Sequence, residues 1–187
     1  MRKAGMDRHL VEQAQGGDRE AFTALAFELS DRLFTVAQRI VRDFDTAGDV
    51  LQVALVRIWR DLPSLKDPDN LEAWAYRILF RASYDTLRKA RRQPASLALL
   101  PRDGIGADPA LGVADREELE RAFRTLPVGQ RAAIVLQYYR GMTLPEIAET
   151  LQVPIGTVRS RIHYAKRTLR SAIEADARPV IQERPVR

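Results

Sequence analysis

The side chains best suited to binding chemistry lie on one segment, between Thr157 and Arg170. From Gly156 to Ile173 the sequence contains five Arg and Lys residues and no carboxylate, whereas a solvated helix commonly pairs opposite charges at i,i+4. Guanidinium groups bind phosphates, and polar side chains can hydrogen-bond to base edges. The segment therefore predicts a surface that binds nucleic acid.

The residues before this segment have the spacing of a helix-turn-helix. Thr143 and Glu146 form a capping-box pattern, Pro145 is tolerated in a first helical turn, and a second helix is expected to begin near Ile155. Apolar residues at helical spacing predict the buried face of that second helix: Val158, Ile162, Ala165, Leu169 and Ile173. In a helix-turn-helix, the start of the second helix enters the DNA major groove.

The remaining residues of this second helix divide by position. The candidates for reading base edges lie near its start: Arg159, Ser160, His163 and Tyr164. Thr157 is assigned to the same DNA-binding surface. The other cations are candidates for phosphate contacts, which supply affinity and register: Arg161, Lys166, Arg167 and Arg170. The alternative is a basic, solvated helix that only caps a bundle.

A second basic cluster lies earlier in the chain. Its cations face a single carboxylate, Asp85, over the same span: Arg77, Arg81, Arg88, Lys89, Arg91 and Arg92. Four aromatic residues are interleaved with them: Trp74, Tyr76, Phe80 and Tyr84. Cations mixed with exposed rings suit a nucleic acid whose bases are partly unstacked. If Trp74 and Phe80 instead belong to a core, the arginines are an ordinary solvated face.

The elements that must position these residues are all predicted to be helices. Asp18 and Asp45 precede two segments of helical apolar spacing, and Asp69 with Glu72 has capping-box spacing before a third. The fold class is therefore all-α, with two small helical domains.

The domain boundaries follow from composition. Residues 8–93 are predicted to form the first domain, and residues 116–175 the second, which contains the helix-turn-helix. Residues 94–115 are rich in Pro and Gly and lack apolar periodicity, which predicts a flexible linker; an ordered loop packed on one domain is the alternative. Residues 176–187 are predicted to be a frayed tail.

The overall composition describes a folded protein and excludes several kinds of site. The 187 residues are 45% hydrophobic and 29% charged, with a net charge of +5 and a pI near 9.9, which favours an anionic partner. The absence of cysteine excludes disulfides and thiolate metal sites. No apolar run approaches the ~20 residues that span a bilayer. The absence of cysteine fits a reducing cytoplasm, and we expect a cytoplasmic protein. We also expect no metal and no cofactor.

Both clusters together resemble a known family. The quoted motifs are Trp74-Ala75-Tyr76-Arg77-Ile78, Asp85-Thr86-Leu87-Arg88-Lys89-Ala90-Arg91-Arg92, Leu126-Pro127, Glu146-Ile147-Ala148-Glu149 and Gly156-Thr157-Val158-Arg159-Ser160-Arg161. In this order, over residues 8–174, they resemble a bacterial extracytoplasmic-function (group 4) sigma factor of the sigma-70 family.

This resemblance implies a subunit that joins core RNA polymerase and directs it to promoter DNA. The first domain would be region 2, which binds the clamp coiled coil of the largest polymerase subunit and melts the −10 element. The second would be region 4, which reads the −35 element and sits on the flap of the other large subunit. An anti-sigma factor is a common further partner in the family.

The resemblance also implies residue roles. Four residues match the polymerase-binding helix: Asp49, Gln52, Arg57 and Trp59. The loop 62–70 matches the segment that captures a flipped −10 base. Residues in the stretch that meets promoter DNA during melting are Trp74, Arg77, Arg81, Arg88, Lys89 and Arg91. The −35 readers match Arg159, Ser160, His163 and Tyr164.

Three positions depart from the family pattern. Val53 stands where the polymerase-binding helix usually has Glu, so one acidic contact is missing. Arg81 stands where Asn is common. Gln152 occupies a turn position where Gly is common, so the turn must accept a strained residue or shift.

Two other functional classes remain. A sigma-like module could sequester an anti-sigma factor without binding DNA. An enzyme could use the carboxylate pairs Asp67 with Asp69 or Glu117 with Glu118, but no histidine cluster, phosphate-binding glycine loop or nucleophile motif accompanies them. We therefore expect a protein without catalytic residues.

Overall fold

The structure is a computed structural model that describes residues 7–92 and 113–176, and within these ranges every regular element is helical. The predicted all-α fold is confirmed. The eight α-helices are α1 (Arg8–Gln15), α2 (Arg19–Val41), α3 (Phe44–Asp61), α4 (Leu71–Arg92), α5 (Val113–Thr125), α6 (Val128–Ile134), α7 (Leu144–Leu151) and α8 (Ile155–Asp176). None of the described helices is both long and apolar enough to cross a membrane.

The first lobe consists of α1 to α4. Asp18 caps α2 as predicted, accepting hydrogen bonds from the N–H groups of Glu20 and Ala21. Asp45, which the sequence placed before the second long helix, lies within the first turn of α3; the cap is Asp43, whose carboxylate accepts the N–H of Thr46 at 2.7 Å. Sequence spacing alone could not choose between the two aspartates.

The start of α4 differs from the prediction. Two 3₁₀ turns, Leu62–Ser64 and Pro68–Asn70, lie between α3 and α4, and Asp67 caps the second turn. Asp69 and Glu72 therefore do not form a capping box. Asp69 pairs with Arg8, and Glu72 faces the second lobe.

The second lobe consists of α5 to α8. A π-helical turn, Val135–Tyr139, follows α6, and Gly141 then takes a positive φ of 65° that ends the helical path. Thr143 and Glu146 form the predicted capping box at the start of α7.

The predicted linker and tail lie mostly outside the described residues. Only the last three residues of the range 94–115 are described, and they open α5 at Val113. Of the range 176–187, only Asp176 is described, as the last residue of α8.

The two lobes pack against each other. Buried apolar side chains of both lobes belong to one cluster, in which Leu79 of α4 and Ile147 of α7 are fully buried. Two ion pairs cross the boundary in opposite senses: Arg42 of the first lobe pairs with Glu120, and Arg140 of the second pairs with Glu72. Each lobe thus supplies one arginine and one carboxylate.

Glu72 has several partners at this boundary. Its carboxylate accepts a hydrogen bond from the Tyr76 hydroxyl at 3.1 Å, pairs with Arg140, and lies 3.7 Å from Arg32. Burial raises the pKa of the Tyr76 hydroxyl above its usual value, so this hydroxyl remains a donor. Two hydrogen-bond donors and the nearby charge of Arg32 compensate for taking the carboxylate partly out of water.

Arginines and aromatic rings complete the boundary. Arg39 lies 4.1 Å from the ring centre of Tyr139, and Arg42 lies 5.5 Å from that of Phe123. Burial and neighbouring arginines lower the pKa of Arg42 to about 10, which still leaves this guanidinium charged at neutral pH. The boundary therefore combines apolar burial with charge pairing.

The turn between α7 and α8 accepts a strained residue, one of the two outcomes that the sequence left open. Gln152 lies in the left-handed region, with φ 53° and ψ 49°. Its N–H donates to Glu149 O at 3.2 Å, and its side-chain amide donates to the same oxygen at 2.8 Å. These bonds close α7 in the place where glycine would carry no steric cost.

We predict that Arg140→Ala lowers the free energy of unfolding by about 1–2 kcal/mol, because it removes a charged hydrogen bond to a partly buried carboxylate. Urea unfolding followed by circular dichroism measures the change. Arg60→Ala is the matched control, since Arg60 pairs only with the exposed Asp61 beside it, and should have a far smaller effect. Equal effects would show that the boundary pair contributes no more than a surface pair.

We predict that the Gln152→Gly protein has a free energy of unfolding about 0.5–1 kcal/mol higher than the Gln152→Ala protein, as measured by urea unfolding. Both variants lose the side-chain hydrogen bond to Glu149 O, but only glycine relieves the left-handed strain, less its added entropy. Equal stabilities of the two variants would show that the backbone here is not strained.

Candidate nucleic-acid interface

α8 presents most of its predicted DNA-binding side chains to solvent. Val158, Ile162 and Ala165 are buried, as the apolar spacing predicts. The end of that stripe is less covered, since Leu169 is half-buried and Ile173 is 44% exposed. The predicted DNA-binding residues that are exposed are Arg159, Ser160, His163, Tyr164, Lys166, Arg167 and Arg170.

Several of these side chains already have partners on the protein. The Ser160 hydroxyl donates to Thr157 O at 2.9 Å, so only its lone pairs remain for a ligand. The His163 and Tyr164 rings meet edge to face, 5.5 Å apart. Lys166 Nζ lies 5.0 Å from the ring centre of Tyr138. Thr157 is half-buried.

Arg161 lies on a different side of α8 from Arg159. Its guanidinium packs against Gly129 of α6, where a Cβ would lie 3.0 Å from Arg161 Cζ. Its Nη1 is buried and, among the described residues, has no hydrogen-bond partner. The structure therefore separates Arg161 from the exposed cations that the sequence grouped with it.

α4 carries the second cationic surface, which we call the α4 stripe and define as Trp74, Arg77, Arg81 and Arg88. The intervals of three, four and seven residues place these side chains on one side of the helix. Trp74 and Arg77 are half-buried, whereas Arg81 and Arg88 are exposed. Lys89 is exposed further round α4, and the side chain of Arg91 lies outside the described residues.

The interleaved aromatic residues do not share one role. Tyr84 is 46% exposed beside the α4 stripe, and Phe80 is half-buried, with its ring centre 6.5 Å from that of Tyr84. Tyr76 is buried at the lobe boundary, where Arg140 lies 5.3 Å from its ring centre. Helical spacing alone does not show which of these aromatic residues is buried, because Tyr76 is covered by the second lobe.

The residues predicted for polymerase binding lie on α3. Asp49 and Gln52 are exposed, and Trp59 is 37% exposed with its ring centre 4.6 Å from that of Phe22. Arg57 reaches α4, where both of its Nη atoms lie 3.2 Å from Asp85 Oδ2. Arg57 of α3 therefore pairs with Asp85, the carboxylate that lies beside the α4 stripe.

α3 carries exposed apolar side chains, of which the sequence analysis named only Val53, as a departure from the family pattern. Val56 is 68% exposed and Val53 is 40% exposed, on the same helix as Asp49 and Gln52. The sequence could have indicated this exposure, because neither valine falls on the buried stripe of α3, which is Ala47, Val50, Ala54 and Ile58. Such a surface suits a partner that covers apolar groups.

The loop 62–70, which we call the capture loop, connects α3 to α4. Leu62 and Leu65 are buried and anchor it. Its exposed polar residues are Ser64, Lys66, Asp67, Asp69 and Asn70. It leads directly into the first turn of α4, so it ends close to the α4 stripe.

The described residues show no arrangement suited to metal chemistry. Among them, no group of three or more His, Cys, Asp or Glu side chains is placed to hold a metal ion. The candidate site instead consists of two cationic helical surfaces, the α4 stripe on the first lobe and the exposed cations of α8 on the second.

Comparison with known proteins identifies both lobes. Residues 27–93 match the Sigma-70 region 2 family, and residues 116–169 match the Sigma-70, region 4 family. The RNA polymerase sigma-H factor of Pseudomonas aeruginosa is 30% identical over 190 residues, covering 95% of this chain and 96% of that protein. The ECF RNA polymerase sigma-E factor of Escherichia coli K12 is 32% identical over 189 residues, covering 94% and 96%.

Solved structures agree with this relationship. The sigma factor RpoE of Bartonella quintana, in complex with the anti-sigma factor NepR, has a TM-score of 0.67 and 25% identity, covering 83% of this chain and 98% of that one. CnrH, in complex with the cytosolic domain of CnrY, has a TM-score of 0.64 and 28% identity, covering 91% and 99%. The chain is a member of the extracytoplasmic-function sigma factors of the sigma-70 family.

Proposed function

We propose that this sigma factor, of group 4, binds core RNA polymerase and directs it to promoters by recognising −10 and −35 elements. The observation that carries this proposal is the pair of cationic helical surfaces on two lobes of one chain, α8 on the second lobe and the α4 stripe on the first. The match of each lobe to its sigma-70 region supports it.

The −35 element is assigned to α8. Arg159 and His163 are exposed near its start and lie one turn apart, so both can reach base edges in the major groove. Arg167 and Arg170 are exposed further along and are placed to contact phosphates.

The −10 element is assigned to the α4 stripe and the capture loop. Melting needs no covalent chemistry: if the first lobe binds unpaired bases more tightly than duplex, that difference in affinity favours the open state. Extruding a base costs a few kcal/mol, and stacking on an aromatic side chain returns about 1–3 kcal/mol per base. Trp74 and Tyr84 supply rings, and Arg77, Arg81 and Arg88 supply phosphate contacts.

The polymerase clamp is assigned to the exposed face of α3 that carries Asp49 and Gln52, with Trp59 at its end. Val53 and Val56 are exposed on this helix, and Val53 replaces the Glu that the family pattern implies. The flap of the other large subunit is assigned to the second lobe. The solved sigma factor RpoE is in complex with the anti-sigma factor NepR, and we infer an anti-sigma partner for this chain. Because promoter DNA and polymerase are cytoplasmic in bacteria, the chain is proposed to act there, without a catalytic step.

The packed lobes must separate to reach both elements. Elements centred about 25 base pairs apart lie roughly 85 Å apart at 3.4 Å per base pair, whereas a compact chain of this length has a radius of gyration near ~16 Å. Residues 93–112, about 20 residues, can extend to at most about 70 Å. Helices α4 and α8 have 22 residues each and are therefore about 33 Å long, so the lobes themselves span the remaining distance once their boundary opens. Polymerase binding is the proposed source of the free energy.

We predict that His163→Ala or Ser160→Ala changes which −35 sequences are preferred, because each removes a polar group from the groove-facing start of α8. Arg167→Ala should weaken all sequences about equally and reduce the salt dependence of binding by about one charge. A library of −35 variants, bound by the reconstituted holoenzyme at several salt concentrations, measures both. The reverse pattern would mean that a different side of α8 faces the bases.

We predict that the purified full chain, added to core RNA polymerase, starts RNA synthesis at defined positions on genomic DNA of its own organism. Sequencing of RNA 5′ ends maps those positions, and core polymerase alone is the control. If the chain bound an anti-sigma factor but neither bound polymerase nor changed the start sites, the sequestering module would be the better assignment.

A further inference from the structure

The capture loop is held from outside by α1, an element that no sequence motif singled out. α1 is the first described helix, and it packs along α2 and against both 3₁₀ turns of the loop. Val11 and Ala14 are its buried apolar residues. Its polar contacts are made by a residue near each end of the helix.

Gln15, at the end of α1, makes the inner contact. Its Nε2 lies 3.2 Å from Leu62 O and 2.8 Å from Leu65 O, so one amide group donates to two loop carbonyls. Leu62 O also accepts the N–H of Leu65 at 3.0 Å. These bonds are partly buried and join residues 47 and 50 positions apart in the chain, so they fix the loop to a distant part of the sequence.

Arg8, at the start of α1, makes the outer contact. Its Nη1 lies 3.2 Å from Asp69 Oδ2, while its Nε binds Glu12 Oε1 at 2.9 Å within α1. This pair is exposed and contributes little by itself. Together with Gln15, however, it places contacts from one helix at both ends of the loop.

Holding the loop matters because base capture depends on a pocket that exists before the base arrives. A loop that must be ordered during binding spends part of its interaction energy on that ordering. A loop fixed by a supporting shell keeps its polar groups where they distinguish one base from another. The Gln15 side chain is directed into the loop backbone, so its influence on DNA passes through the loop.

We propose that α1 positions the capture loop for base-specific recognition of the unpaired −10 strand, with Gln15 as the principal positioning residue. This inference rests on the proposed assignment of the loop to base capture. It adds a determinant of −10 specificity that lies outside the DNA-contacting helices.

The test uses holoenzyme made from the full chain and core polymerase. Gln15→Met removes both donors while keeping a side chain of similar length, and Gln15→Glu removes them and adds a charge that the two carbonyls repel. Gln13→Met and Gln13→Glu are matched controls, since Gln13 is exposed on the same helix. Urea unfolding of each variant checks that it folds.

The probes are labelled single DNA strands that carry the −10 element of a promoter mapped by RNA 5′-end sequencing. In a set of such strands, the base at each position of the element is replaced in turn by the other three. Wild type should prefer one base strongly at one or more positions. In both Gln15 variants that preference should fall about threefold to tenfold, the equivalent of one or two lost hydrogen bonds. Affinity for a −35 duplex should stay within about twofold, because that site is distant, and the Gln13 variants should match wild type.

Three results would overturn the inference. The first is unchanged base preference in folded Gln15→Met protein. The second is an equal loss of −10 and −35 affinity, which would indicate a general loss of structure. The third is an equal effect of the Gln13 variants. Wild-type holoenzyme that showed no −10 base preference at all would instead contradict the proposed function.

Discussion

The contact on which the arrangement of both lobes depends is the one between Glu72 and Arg140. Glu72 lies in the first turn of α4 and Arg140 just after the π-helical turn, so their pairing joins the helix that bears one cationic surface to the lobe that bears the other. A partly buried carboxylate is stable only while its donors are present. Together with the buried apolar cluster and the Arg42–Glu120 pair, this contact holds the two lobes in their packed arrangement.

The side chains of α4 lie on three faces that meet different surroundings. One side of the helix, with Leu79 and Ala82, is buried in the core. A second side carries Glu72 and Tyr76 and meets the second lobe. The third carries the α4 stripe, in which Arg81 and Arg88 are exposed to solvent. A single helix can contribute to the core, to the lobe boundary and to a cationic surface because its 3.6-residue period separates side chains into distinct faces.

Much of the candidate interface could be predicted because its signals are local. The lack of carboxylates on α8, the capping box of Thr143 and Glu146, and the left-handed Gln152 all depend on residues close together in the sequence. The positions that needed the structure depend on residues far apart. Arg57 reaches Asp85, Arg161 packs on Gly129, and Gln15 binds the capture loop, and in each case the partner lies on another helix.

The sequence by itself determined that the chain is helical, where its main helices bury their apolar faces, and that two segments carry unneutralised cations. These properties follow from periodicity and charge, which act over a few residues. Tertiary structure decided which cations remain open to a ligand, which aromatic rings are core, and what holds the capture loop. Those outcomes depend on the packing of helices whose contacts join residues tens of positions apart, and packing of that kind has no local pattern in the chain.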